Sequence, residues 1–347
     1  MPGCLDDRML YLNRCEVEQA CAQIDPVAVV SCALALHSLG EAIVPDEAYL
    51  AWTNSLGEGA RSLNMPGWLG GSDAVAGTKI INGNPANSAR GLPRASGLTL
   101  LFDPTTARVS CLLEAAYISS LRTASVTALS ADLFRGPRVE CLAVIGAGAL
   151  AAAHLALLPA RLPGLRQVRL FDLDRARAEA LRRQHAGALA ARDVCLTLTD
   201  SAEQAIRPAQ LIVPVTTTTT GYIPYRWLQP GAVLVNISLD DPLPEVALEA
   251  GRLFVDDWQL VKTDSRRLLG RLYREGLIDG PEATATGRAR RVDGQIGEVV
   301  LGTRPGRTSS DEVILVNPFG LSIEDVALAA QVYATARRLG LGSYLER

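Results

Sequence analysis

From Pro26 to Gly40 apolar residues recur at helical spacing (PVAVVSCALALHSLG), behind a short strand-like run nearer the N-terminus. Residues 1–60 therefore read as helices and turns, the segment PDEAYLAW among them. Between Ala76 and Leu113 the rhythm becomes that of strands. Lys79-Ile80-Ile81 and GLTLLFD (97–103) are strands on either side of a Gly/Asn/Pro-rich loop over 82–93, and Asp103-Pro104-Thr105-Thr106 turns the second into VSCLL. The stretch 114–134 is apolar or small nearly all round, the pattern of a long buried helix.

At Val139 a third rhythm begins. VECLAVIGAG runs into glycines and an Ala/Leu helix, and VRLFDLD (168–174), VCLTLT, QLIVPV and AVLVNIS supply further strands. Strands alternating with helical segments predict a doubly wound parallel sheet, an α/β fold. The last element, IEDVALAAQVYATARRLG (323–340), reads as an amphipathic helix with no strand after it, expected to pack back on the N-terminal domain. Thr216–Thr220 is the one low-complexity tract.

Gly146-Ala147-Gly148-Ala149-Leu150-Ala151 forms GxGxxA between a strand and a helix. Glycines there let backbone approach a pyrophosphate, while the helix N-terminus offers N–H donors and a positive dipole. Alone such a motif is weak. Asp172 strengthens it, because it ends the next strand at about the ~20-residue offset of a ribose-binding acid. An acid at that point accepts from both ribose hydroxyls and repels a 2′-phosphate, so NAD is expected, although Arg175 nearby leaves NADP open.

Length and composition narrow the class. A chain of 347 residues suits two domains, and 48% hydrophobic with 20% charged residues is the balance of a globular protein. A net charge of −3 and only 5% aromatics argue against nucleic-acid binding. No run is apolar enough to span a bilayer, and MPGCLDDRMLYLN lacks the cationic-then-apolar order of a signal peptide, so a cytoplasmic protein is expected. Cys4, Cys15, Cys21, Cys32, Cys111, Cys141 and Cys195 form no CxxC pair and no zinc spacing, so buried reduced thiols and no metal site are expected. None of His37, His154 and His185 stands beside a nucleophile. Nearly every basic residue is arginine, and the only lysines are Lys79 and Lys262. Guanidinium does not deprotonate near neutral pH, so a lysine kept among arginines can mark a place where an amine that titrates is useful; Lys79 reads that way from its neighbours, and Lys262 as a chance surface lysine.

RSLNMPGWLGG (61–71), TKIINGNPANSARGLPRASG (78–97), LLEAAYISSLRTASVTAL (112–129), NISLDDP (236–242) and GRTSSDEVILVNPFGLSIED (306–325) together resemble the ornithine cyclodeaminase/μ-crystallin family, from about Leu10 to the C-terminal helix. The resemblance implies a split α/β substrate and dimerisation domain, 1–136 completed by 314–347, with a Rossmann domain inserted over 137–313, and a homodimer. PRAS (93–96), VTTTTTGYIPYRWL (215–228), NIS (236–238), VDDW (255–258) and NPFGLSIED (317–325) are similar to one branch of the family. That branch oxidises N-(1-amino-1-carboxyl-2-ethyl)glutamate with NAD, and the imine hydrolyses to 2,3-diaminopropionate, a siderophore and antibiotic precursor, and 2-oxoglutarate. Cyclodeaminases also oxidise an α-amine but close a ring and return the hydride, and non-catalytic cofactor-binding relatives are a third reading.

By resemblance, Lys79 is the active-site lysine, and Arg61 and Arg122 hold substrate carboxylate, for which a guanidinium fork is suited. Arg94 follows Gly91-Leu92-Pro93 where cyclodeaminases commonly carry a neutral residue, which points to an additional substrate carboxylate. Asp240, two before Pro242, falls where cyclodeaminases carry a catalytic acid. The DCPGK pattern around that acid is absent, so the role belongs to Asp240, to Asp241 or to neither. Thr216 falls on the nicotinamide side of the cofactor, bound with Gly146, Gly148, Ala149 and Asp172.

Overall fold

The structure is a computed structural model describing residues 7–136, 138–283 and 289–346. The chain forms two units, Met1–Arg122 with Leu321–Arg347, and Thr123–Gly320. These divisions fall at other points than 136/137 and 313/314, the boundaries implied by the family resemblance.

In the first unit, strands β1 (Arg8–Leu12), β2 (Ala42–Ile43), β3 (Ala48–Thr53), β4 (Gly59–Leu69), β5 (Val75–Gly83), β6 (Ala95–Phe102) and β7 (Val109–Glu114) form one sheet with Ser343–Glu346. Its order is Ser343–Glu346, β1, β7, β6, β5, β4, β2, with β3 also on β4. Helix α1 (Arg14–Cys21) starts at Asn13 with a capping box closed by Glu16, and α2 (Pro26–Ser38) starts at Asp25, whose carboxylate accepts from the Val27 and Ala28 amides. Leu10, Leu12, Leu101, Leu113, Ile118, Val326 and Val332 pack the core of this unit.

Two expectations need correcting here. Residues 42–43 and 48–53 are strands, not helix or turn; β3 is exposed along its length, so no alternation of apolar and polar positions marked it. The C-terminal helix (Ser322–Leu339) is also followed by a strand, Ser343–Glu346, antiparallel to β1. That strand is four exposed residues long, too short to show a period. Gly340 ends the helix in the left-handed conformation, and Gly342 (φ +96°) passes so close to β1 that a Cβ would meet Leu10, Leu12 and the Tyr11 carbonyl at 2.8 Å.

The second unit is the expected α/β sheet. Strands β8 (Cys141–Ile145), β9 (Gln167–Phe171), β10 (Cys195–Leu198), β11 (Leu211–Pro214) and β12 (Val233–Val235) are ordered β10-β9-β8-β11-β12 and extended by Ile314–Val316, Arg252–Val255 and Gly294–Gln295. Every pairing in it is parallel. The order reverses between β8 and β11, which opens a crevice at their carboxyl ends, where ligands of such sheets bind. Helix α3 (Ala115–Phe134) belongs to the first unit up to Arg122 and to the second from Thr123. Of the thiols expected to be buried, Cys21, Cys111 and Cys141 are; Cys15, Cys32 and Cys195 are exposed, and Cys4 lies outside the described residues.

Candidate active site

In the first unit the sheet register decides what shares a face. Lys79 lies opposite Met65 and Thr99, and Gly83 opposite Arg61 and Ala95. Lys79 and Gly83 are four residues apart on β5, so Lys79 and Arg61 start from the same face, about 13 Å apart along the strands. On that face Gly67 is paired with Gly77, and a Cβ on Gly67 would stand 2.7 Å from Ser322 Oγ. The missing side chain lets the first turn of the C-terminal helix press against the sheet. That turn carries Glu324 and Asp325, acids at the helix end where the macrodipole favours them.

The result is a buried quartet of charges. Lys79 Nζ donates to Asp325 Oδ2 at 2.7 Å and to Ser119 Oγ at 3.3 Å. Arg122, on α3, places NH1 2.8 Å from Glu324 Oε2 and Nε 3.2 Å from Asp325 Oδ2. Lys79 is 2% exposed, Arg122 8%, and Glu324 and Asp325 0%. Two cations and two anions balance, yet burying such groups loses hydration that their attraction need not recover, so fold stability is a poor reason for the cluster. Among the described residues Asp325 Oδ1 is buried without a hydrogen-bond partner, while Oδ2 accepts from Lys79 and pairs by charge with Arg122 Nε. Burial holds the Lys79 pKa below its usual value; Asp325 and Glu47 oppose this and Arg122 adds to it.

The Arg61 side chain and the Arg94 backbone both lie beside Gly83. A Cβ on that glycine would lie 3.6 Å from Arg61 Nε and 3.6 Å from the Arg94 carbonyl. The Arg94 backbone is held by the Asn84 amide (2.9 Å), and Glu58 ties Asn84 and Arg90 of the same loop to the β3–β4 hairpin. Partial desolvation and the neighbouring charge of Arg61 both work against the Arg94 cation. Among the described residues neither guanidinium has a carboxylate partner.

The second unit holds the dinucleotide residues. Gly146 has φ +106°, and a Cβ there would lie 2.9 Å from the Val215 carbonyl, so the loops leaving β8 and β11 touch at the crevice. Gly148 caps helix α4 (Ala149–Arg161) without a side-chain bond to the first amides, and a Cβ on it would meet nothing within 4 Å. Open space before free N–H groups fits a pyrophosphate. Asp172 accepts from the Ala147 amide at 2.7 Å, which sets the acid against the glycine loop. Arg175, the reason NADP stayed open, is paired with Asp200 at 2.9 Å.

The neighbouring acids part company. Asp240, 2% exposed, accepts from the Leu268 amide (3.0 Å), Arg267 NH1 (2.9 Å) and Arg271 NH1 (3.3 Å), which caps the helix Leu268–Arg274. Oδ1 takes two of these donors and Oδ2 the third, so most of its acceptor capacity serves the chain itself. Asp241 instead accepts from Thr216 Oγ1 (2.8 Å), Tyr222 OH (2.9 Å) and the Ser238 hydroxyl. Glu324, Asp325, Ser119 and Tyr222 escaped the reading of the sequence. The one available signal was SIED itself, two consecutive acids opening an otherwise apolar helix.

The family model for "Ornithine cyclodeaminase/mu-crystallin family" matches residues 7–339. The chain is 31% identical over 346 residues to the N-((2S)-2-amino-2-carboxyethyl)-L-glutamate dehydrogenase of Staphylococcus aureus, covering 98% of this chain and 99% of that one. Among solved structures it is similar to CmnK (39% identity, TM-score 0.89, 98% of both chains). An archaeal alanine dehydrogenase dimer with bound NAD is also similar (25% identity, TM-score 0.82, 97% of this chain and 99% of that one).

Proposed function

The chain belongs to the ornithine cyclodeaminase/mu-crystallin family, and on that premise we propose that it is an NAD-dependent dehydrogenase of an N-substituted glutamate. The substrate is the one named for the Staphylococcus aureus relative, N-((2S)-2-amino-2-carboxyethyl)-L-glutamate, cleaved to 2,3-diaminopropionate and 2-oxoglutarate. The observation that carries this choice is the pair Arg61 and Arg94: the Arg61 Nε and the Arg94 carbonyl flank Gly83, Arg94 feels the charge of Arg61, and neither guanidinium has a carboxylate partner among the described residues. A one-carboxylate amino acid does not need them in addition to Arg122. A substrate with three carboxylates does.

Bound NAD supplies the hydride acceptor. The glutamate α-carbon loses its hydride only if the attached nitrogen has a free lone pair, so the substrate ammonium must first give up a proton. Lys79 takes that proton: burial lowers its pKa, and Asp325 stabilises the ammonium that forms. Asp325 Oδ1, buried without a hydrogen-bond partner among the described residues, is the acceptor assigned to a substrate N–H on this reading. Arg122, Arg61 and Arg94 hold carboxylates. Water adds to the C=N carbon of the imine, and the C–N bond breaks to leave an amine and a ketone. Gly146, Gly148, Ala149 and Asp172 bind the cofactor, Asp172 through the ribose hydroxyls. Asp240 serves the helix it caps and has no proton-transfer role. The reading also makes the chain a homodimer, like the archaeal relative, and the exposed Tyr49, Leu50 and Trp52 of β3 are apolar surface for it; a monomer in sedimentation would remove that part.

Incubation with the N-linked substrate and NAD should yield NADH, 2-oxoglutarate and 2,3-diaminopropionate in equal amounts. Conversion of ornithine to proline with no net NADH would overturn the reading in favour of a cyclodeaminase.

A further inference from the structure

The five-threonine run Thr216–Thr220 begins directly after the Val215 carbonyl that lies against Gly146. Two of its five hydroxyls, those of Thr216 and Thr218, have partners among the described residues. Thr216 Oγ1 donates to Asp241 and accepts from the Thr218 amide (3.1 Å), and Thr218 Oγ1 donates to the Thr220 carbonyl (2.8 Å) and accepts from the Thr220 amide (3.1 Å). Thr217 and Thr219 are exposed, and among the described residues neither hydroxyl has a partner within the chain. One residue closes the loop at both ends. The same Asp241 oxygen accepts from Thr216 at its start and Tyr222 at its finish, and the Asp241 carbonyl accepts from the Tyr222 and Ile223 amides at 2.8 and 3.0 Å. Tyr222 also feels the charge of Asp172. Gly221 sits where the chain turns back, with no room for a side chain: a Cβ would be 2.6 Å from the Pro242 carbonyl.

We propose that Asp241 is a positioning residue of the cofactor site, fixing the loop 216–222 so that the hydroxyls of Thr217 and Thr219 face the dinucleotide as hydrogen-bonding groups. The inference rests on the NAD-dependent reading above. The Thr216 and Thr218 hydroxyls with the Thr220 backbone are the frame, and Thr217 and Thr219 are the contact. A carboxylate suits the anchor because three hydroxyls converge on it as donors, and an acceptor-only group receives all three without a conflicting N–H. Asp241→Asn keeps the shape but turns one acceptor into a donor, so the Ser238 or the Thr216/Tyr222 side of the network opens.

The test is titration of the full-length protein with NAD and with NADH, by calorimetry and by NADH fluorescence, alongside its melting temperature. Asp241→Asn should weaken NAD binding about tenfold or more while leaving the KM for the amino-acid substrate within about twofold. Thr217→Val with Thr219→Val should weaken NAD to a similar degree with an unchanged melting temperature, and this variant decides the matter should Asp241→Asn not fold. Thr216→Ser, which keeps the hydroxyl, should bind as the wild type does, and Thr216→Val should not. Wild-type NAD affinity in both Asp241→Asn and the double variant overturns the proposal and leaves the dehydrogenase standing. A wild type that binds neither NAD nor NADH overturns both.

Discussion

Lys79 Nζ lies 2.7 Å from Asp325 Oδ2, a contact between residues 246 positions apart that is buried on every side. It brings the one lysine on a central strand against the first turn of the C-terminal helix, and makes the two side chains a single proton-holding unit. Losing either member leaves the other buried without its main counter-charge.

Lys79→Arg keeps the charge but cannot release a proton near neutral pH. Turnover should fall by about 10²-fold or more, the usual worth of a positioned acid–base group. Near-normal turnover in that variant would reduce Lys79 to an electrostatic anchor. Lys79→Met should be less stable by roughly 3–5 kcal/mol in chemical denaturation, since it strands a buried carboxylate.

The pH profile of kcat/KM should rise as Lys79 loses its proton, at a pH below the ordinary lysine value of 10.5 because burial favours the neutral amine. Asp325 and Glu47 pull the value up and Arg122 pulls it down. Asp325→Asn removes one upward influence, so the ascending limb should move to lower pH, with reduced height. A limb that stays put or moves up would show that another group controls it. The linkage has a matching sign: the unfolded chain holds this proton more tightly, so between the lowered value and 10.5 the ionisation of Lys79 makes folding more favourable as pH rises.

Asp172 should set cofactor choice. Its carboxylate stands against the Ala147 amide, and Arg175 is engaged by Asp200 rather than turned to a 2′-phosphate. NAD should therefore be strongly preferred, and Asp172→Ser should narrow the gap by raising KM for NAD and lowering it for NADP. Equal rates with both cofactors in the wild type would remove this argument.

Arg94→Ala should lower kcat/KM for the tricarboxylate by about 10- to 100-fold, from roughly 1.5–3 kcal/mol per charge-assisted hydrogen bond and ~1.4 kcal/mol per decade. Ornithine, a poor substrate on this reading, should be barely affected. A variant that loses nothing on the tricarboxylate would leave Arg94 as plain surface.

Asp240→Asn should act on stability and not on chemistry. The variant loses the charge facing Arg267 and Arg271, and a lowered melting temperature with kcat within about threefold of wild type is expected. A loss of kcat near 10²-fold with the fold intact would return Asp240 to the catalytic acids.

The sequence determined what is local or periodic. GxGxxA after an apolar run, with Asp172 at the end of the next, can be read because a phosphate-binding turn is built within one strand–turn–helix unit. Lys79, Arg61, Arg94 and Arg122 were found as residue types in recognisable segments, whereas the β4–β5 register is what puts Arg61 and Lys79 on one face. Asp325 and Glu324 were not, since what makes them part of the cluster is the packing of the last helix on β4 and β5 across Gly67 and Gly77. Asp240 and Asp241 are adjacent and chemically identical in the sequence, and tertiary structure alone separates them. One meets two arginines and a helix amide and is consumed by the fold; its neighbour, turned the other way along the chain, collects three hydroxyls beside the glycine loop. Sequence fixes which groups exist and their local geometry, but a carboxylate's task depends on the donors around it, and those donors come from elements that only folding brings within 3 Å or so.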